Sequence, residues 1–169
     1  MKRTKRIICA LLALLCCFSM ACAMISCDEE NGEGDSNLFF VNYKNIRIEL
    51  DKSADDVLDK LGEPQNTINL GNCGGIGVQT KYVYNDISIC TLKEKDGEKI
   101  HKIAFENDFV STNKGIYIGS AEESVSEAYG EPKTKKSGKW IYEKGSFELE
   151  FEFENAKVSE VELRRIVIA

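Results

Sequence analysis

The chain has 169 residues, with 22 Lys and Arg against 28 Asp and Glu and a formal net charge of −6 at pH 7. That length suits one or two small domains, and the acidic balance disfavours nucleic acid and anionic lipid surfaces as partners. A single histidine leaves hydrolytic triads and zinc sites short of their usual side chains.

Lys2, Arg3, Lys5 and Arg6 form a basic head, and the stretch from Ile7 to Ile25 is apolar and rich in Ala, Leu and Cys. This pattern reads as a secretory signal rather than a stable membrane span. Cys27 follows Met24-Ile25-Ser26, which resembles the lipobox of bacterial lipoproteins with Met24 in the usual leucine position. The resemblance implies cleavage before Cys27 and a diacylglycerol on its sulfur, hence an extracytoplasmic protein anchored to the bacterial cell membrane. Cys22, after Ser19-Met20-Ala21, is an alternative site, and a plain cleaved signal is another reading. Residues 1–26 are then the signal, and 27–37 an acidic, polar tether. Loss of the four basic head residues would take the net charge from −6 to −10.

Leu38 to Val41 and Ile46-Arg47-Ile48 read as strands leading into a first helix. Ser53-Ala54-Asp55-Asp56 has the form of a capping box, with acids at the positive end of the helix dipole. Val57 and Leu61 share a helix face, Gly62 suits the position past the helix end, and Pro64 prevents resumption. The segment from Gln65 to Lys81 contains Gly71, Gly74, Gly75 and Gly77 and reads as a long loop. Tyr82-Val83-Tyr84, Ile87 to Leu92 and Ile100 to Phe105 read as three strands, with Asp96-Gly97 as a hairpin signal between the last two.

The same plan then returns. Val57 to Pro64 reads VLDKLGEP and Val125 to Pro132 reads VSEAYGEP, and the match runs back without a gap to Ile48 and Ile116. Ser120-Ala121-Glu122-Glu123 repeats the helix start, and Gly130 repeats the stop. Trp140-Ile141-Tyr142 corresponds to Tyr82-Val83-Tyr84. Phe147 to Glu154 reads FELEFEFE, an alternation that predicts Phe147, Leu149, Phe151 and Phe153 on one sheet face and Glu148, Glu150 and Glu152 toward water. Val158, Val161 and Leu163 correspond to Ile100, Ile103 and Phe105, and their shared break in alternation predicts a common β-bulge. The expected fold is therefore α+β, with modules at 38–110 and 111–169. Each is a short helix followed by a three-stranded antiparallel meander, and the two pack together because neither buries much alone.

A lipobox followed by tandem helix-then-meander units, carried by Val57 to Pro64 and its counterpart, resembles the SmpA/OmlA-type assembly lipoproteins and the tandem repeats of β-lactamase inhibitor protein. The resemblance covers Ile46 to about Val167. It implies a non-enzymatic fold that offers a sheet face or loops to another protein.

Of seven cysteines, Cys73 and Cys90 remain after the signal and the lipid site are set aside. In an oxidising compartment they are candidates for a disulfide, which in the chain-entropy model would stabilise by roughly 3 kcal/mol. Two separate thiols or a redox pair are the alternatives, although there is no Cys-x-x-Cys. His101 reads as a surface residue. The glutamates of FELEFEFE stand about 7 Å apart along one face, too wide for one calcium ion without other ligands. Asn72 to Gly77 lacks the lysine and following helix of a phosphate loop. No catalytic residue, metal or cofactor is implied. The leading expectation is an envelope-anchored binding or assembly module whose partner is an unknown envelope or extracellular protein. Its candidate contacts are Gly74, Gly75, Ile76, Tyr82, Tyr84, Trp140 and Tyr142, with core packing as the other role for the aromatics. A carboxylate-based hydrolase and a purely structural lipoprotein are the competing expectations.

Overall fold

The computed structural model describes residues 39–72 and 77–166, all within a unit spanning Asn37–Ala169. A tight hairpin opens it: β1 (Phe40–Tyr43) pairs with β2 (Ile46–Glu49). Lys44 and Asn45 both adopt positive φ at its tip, as a type I′ turn requires. Helix α1 (Asp55–Leu61) is followed by β3 (Asn66–Asn72), β4 (Val78–Val83), β5 (Ile87–Glu94) and β6 (Gly97–Phe105). The short β7 (Ser111–Thr112) then joins β1, giving a small sheet of order β2-β1-β7. Helix α2 (Glu122–Tyr129) is followed by β8 (Thr134–Lys136), β9 (Lys139–Lys144), β10 (Phe147–Glu154) and β11 (Lys157–Arg165).

The α+β expectation holds, with two corrections. Each meander has four strands rather than three: β3 lies within the segment expected to be a long loop, and β8 precedes the first strand expected in the second module. Asn-Thr-Ile-Asn-Leu-Gly-Asn carries little local strand preference; pairing with β4 from Asn66↔Val83 to Asn72↔Val78 makes it a strand. The two meanders also do not form separate sheets. They meet edge to edge through β6 and β11, in the register Glu162↔Ala104, Leu163↔Ile103 and Arg164↔Lys102. The result is one eight-stranded antiparallel sheet of order β3-β4-β5-β6-β11-β10-β9-β8.

Register places an apolar row across one face of this sheet: Tyr82, Ile89, Ile103, Leu163, Leu149 and Tyr142 are successive cross-strand partners. A second row runs from Ile87 to Phe105, and a third from Trp140 through Phe151 to Val161. Val41, Tyr43 and Ile48 of the hairpin, with Val57 of α1 and Val125 of α2, join these residues in a single buried cluster. Leu61 and Tyr129 pack against it, as their spacing from Val57 and Val125 predicts. Phe151 is fully buried, with ring centroids of Tyr129, Tyr142 and Phe153 at 5.6, 6.0 and 6.4 Å.

The two halves share several details. Register shifts fall between Cys90 and Thr91 and between Glu152 and Phe153, leaving His101 and Ser159 as the extra residues, as the broken alternation predicts. The Tyr84 hydroxyl donates to the Gly62 carbonyl (3.2 Å), and the Tyr142 hydroxyl donates to the Gly130 carbonyl (3.0 Å). The Gly62 and Gly130 amides close their helices onto Leu58 and Ser126. The serine caps are not formed: the N-cap positions are Ala54 and Ala121, with no side-chain hydrogen bond. The chain fastens these ends with backbone instead. The Ala54 amide donates to the Glu98 carbonyl (2.9 Å) and the Glu122 amide to the Ala156 carbonyl (3.0 Å). Tertiary carbonyls thus satisfy donors at the helix starts that have no partner within the helix.

Gly62 (φ 76°, ψ −160°) and Gly130 (φ 74°, ψ −149°) occupy a backbone region essentially restricted to glycine. A Cβ at either would meet nothing within 4 Å. Gly130→Ala is therefore expected to cost about 1–3 kcal/mol through backbone strain alone. Chemical denaturation would measure it, and a loss below about 0.5 kcal/mol would show that the stop relaxes without effort.

Candidate functional site

The opposite sheet face is built by the alternate residues of the same strands. Lys81, Cys90, Lys102, Arg164, Glu148 and Glu143 form one cross-strand row. Ser88, Ala104, Glu162, Glu150 and Ile141 form the next. The acids expected to face water are instead joined to cations. Lys139 Nζ lies 2.6 Å from Glu150 Oε1 and 2.7 Å from Glu152 Oε1. Arg164 Nε donates to Glu148 Oε2 (2.5 Å), and the same guanidinium reaches Glu150 and Glu162 at 3.6 Å. Lys102 Nζ sits 2.5 Å from Glu162 Oε2. The network therefore crosses β6, β11, β10 and β9 and spans the seam between the halves.

Glu150 is only 8% exposed, which corrects the expectation that it is solvated. Hydrogen bonds from Lys139 to Glu150 and Glu152 hold that ammonium above its ordinary range. Hydrogen bonding to Glu148 does the same for Arg164, against the opposing effect of its burial. Isolated surface pairs contribute little, but a shared network with a buried member stands apart from them. Glu150→Ala is expected to destabilise by about 1–3 kcal/mol, because Lys139 loses a hydrogen-bond acceptor and Arg164 an ion-pair partner. Urea unfolding beside Glu154→Ala, at an exposed position on the same strand, would measure the difference; equal small effects would return Glu150 to the solvated class.

Three of the four aromatic contact candidates are core residues. Trp140 and Tyr142 on β9 are 4% and 5% exposed, and Tyr84, just past the end of β4, is 6% exposed; all three belong to the buried cluster that includes Val57 and Val125 of the helices. Burial pushes the Tyr142 phenol up to about 12. Tyr82 is half-buried, and its hydroxyl donates to Glu98 Oε2 (3.2 Å). Gly74, Gly75 and Ile76 lie outside the described residues, as do Cys27 and Cys22. Among the described residues, the exposed large apolar side chains are Ile68, Leu70 and Val78, which fall in the segment Gln65 to Lys81 read as a long loop and contact surface, and Phe109 and Tyr117, which no sequence signal marks. Phe109, the most exposed at 79%, lies on the connection between the halves, where no periodicity marks it.

Cys90 is a buried free thiol on β5, and Cys73, its expected partner, lies outside the described residues. Burial raises the Cys90 thiol above its ordinary value, with Lys102 and Lys81 opposing the effect. The raised value means less thiolate at any given pH, and thiolate is the reactive form. Cys90 is accordingly expected to resist maleimide at neutral pH in the folded protein and to react on unfolding. Recovery of a Cys73–Cys90 linked peptide by mass spectrometry would show the bridge instead.

His101 is half-buried at the first bulge, not a surface residue, and its Nδ1 has no hydrogen-bond partner among the described residues. Burial, followed by the nearby Arg165 and Lys102 charges, lowers its pKa. Among the described residues no group of three or more His, Cys, Asp or Glu is placed to hold a metal ion. A cleft of about 130 Å³ is lined by Phe39, Glu49, Leu50, Asp51, Lys52 and Phe147. It is small beside the hundreds of cubic ångströms of typical metabolite sites, and Arg165 ties Asp51 to Glu94 with ion pairs.

No protein-family model matches the sequence, and comparison with curated proteins finds no match. Among solved structures, the chain is similar to a cysteine-rich secretory protein from Staphylococcus aureus, at 14% identity and a TM-score of 0.49. That match covers 69% of this chain and 44% of the staphylococcal one, so the chain spans less than half of that protein's length. It is also similar to a DUF4309 family protein from Bacillus subtilis, at 20% identity and a TM-score of 0.41, covering 68% of this chain and 78% of that one.

Proposed function

We propose that this protein is an envelope-anchored, non-enzymatic binding module that presents the charged face of its eight-stranded sheet to another protein. The observation that carries the reading is the division of labour between the sheet faces. One face is committed to the core, including Trp140, Tyr142 and Tyr84. The other holds Lys102, Arg164, Lys139 and their acids in fixed cross-strand rows. Charges held in place before docking favour specificity and rapid association over raw affinity. The partner is then an extracytoplasmic protein with a complementary charged surface. In-cell crosslinking, followed by identification of the adduct, would test this with two variants. Arg164→Glu combined with Lys139→Glu should abolish the adduct, and Phe109→Ser, on the connection between β6 and β7 and not on a strand of the sheet, should retain it. Loss in both, or retention in both, would remove the face from consideration.

The two helix-and-meander halves are further inferred to be tandem repeats of the SmpA/OmlA-like type. Support comes from the matching glycine stops, the tyrosine bonds to their carbonyls and the equivalent bulges at His101 and Ser159. Anchoring through Cys27 rests on the lipobox resemblance alone. Incorporation of a labelled fatty acid should be lost in Cys27→Ser, and equal labelling of both chains would move the site to Cys22 or elsewhere.

A further inference from the structure

Among the described residues the eight-stranded sheet ends on β3 at one edge and β8 at the other, and the two edges differ. Strand β8 is three residues long and reads Thr-Lys-Lys, preceded by Pro132 and Lys133. Short length, lysines and an adjacent proline are the usual guards against edge-to-edge pairing. Strand β3 has none of them. It runs for seven residues, carries no charge and no proline, and is exposed at every position but Gly71. Ile68 (40% exposed) and Leu70 project from it into solvent. An edge of this kind offers backbone donors and acceptors to any extended chain that lies against it.

We propose that β3 pairs antiparallel with β3 of a second copy, about a two-fold axis at Ile68. Three observations favour a copy over another chain. The chain carries a net charge of −6, and Asn66 to Asn72 is an uncharged strip along which two copies can meet without bringing like charges together. Pairing about Ile68 lies within the straight run Asn66 to Asn69, before the register shift between Asn69 and Gly71. It sets Ile68 against its own copy, an apolar cross-strand pair, and Thr67 against Asn69, a polar one. It also uses both open edges and leaves only the lysine-guarded β8 at each end, so the assembly closes as a symmetric dimer instead of growing into a fibre. The interface is one strand pair wide, well below the area of an obligate dimer, so a reversible association is expected.

Cysteine crosslinking of the full chain in its producing cells tests the register. Ile68→Cys places two sulfurs across the axis, within disulfide reach. Asn72→Cys, also exposed on β3, would lie about 26 Å from its copy in this register. Oxidation should give a chain dimer with Ile68→Cys and none above the wild-type background with Asn72→Cys. Sedimentation of the purified protein should show a dimer fraction that rises with concentration and disappears in Ile68→Lys. Equal crosslinking at both positions would mean random collision and would overturn the proposal. So would no dimer at either position, or an adduct whose mass belongs to a different protein.

Discussion

Truncation of Phe151 to alanine is expected to lower the stability of the fold by about 3–5 kcal/mol, the range for a fully buried aromatic. Phe151 is 0% exposed and sits where β9, β10 and β11 meet α2. Its ring lies beside Tyr129, Tyr142 and Phe153, and its cross-strand partners are Trp140 and Val161. Each of these neighbours is held by its own packing, so the cavity cannot collapse freely, and the loss falls toward the upper end of the range. Phe151→Leu keeps much of the volume and is expected to cost far less. Equilibrium unfolding in urea measures both. A Phe151→Ala loss below about 1 kcal/mol would mean that the aromatic cluster does not hold α2 to the sheet.

The second large effect is expected at the seam. Leu163→Ala should cost about 2–5 kcal/mol, for a reason that differs from Phe151. Leu163 is the middle residue of the three register pairs that join β11 to β6, opposite Ile103 and beside Leu149. It is fully buried in the one cluster shared by both halves. Because the halves share that core, they are expected to unfold together in a single transition. Weakening the seam should lower the midpoint of that transition and then, in the mutant, separate signals from the two halves. Trp140 fluorescence reports the second half, and far-ultraviolet circular dichroism reports both. Coincident curves with a normal midpoint in Leu163→Ala would show that the seam pairs are dispensable.

The charged face and the core are two readings of the same alternation. FELEFEFE states that one face is apolar and the other acidic, and the structure agrees on which residues share a face. What the string does not contain is the identity of the cross-strand neighbours. Arg164 and Lys139 come from β11 and β9, and only their register beside Glu148, Glu150 and Glu152 turns a solvated comb into a network with a buried carboxylate.

Local signals in the chain determined the two helices, their glycine stops, the strong strands β5, β6, β10 and β11, and the bulge at His101 and Ser159. Each depends on residues within one or two turns or a few alternations, and the repeated VLDKLGEP and VSEAYGEP segments made them easier to recognise. Tertiary structure decided the rest. Strands β3 and β8 have no periodicity of their own and exist because β4 and β9 offer them an edge. The helix starts are capped by the Glu98 and Ala156 carbonyls from neighbouring hairpins, so the serines that suit a capping box are not used for it. Trp140, Tyr142 and Tyr84 have the residue types of a contact surface, but the fold turns them inward, where the hydroxyls of the two tyrosines find helix-end carbonyls. Whether an aromatic side chain packs or binds depends on which sheet face it occupies, and the face toward the core is set by the helices and small sheet that cover it.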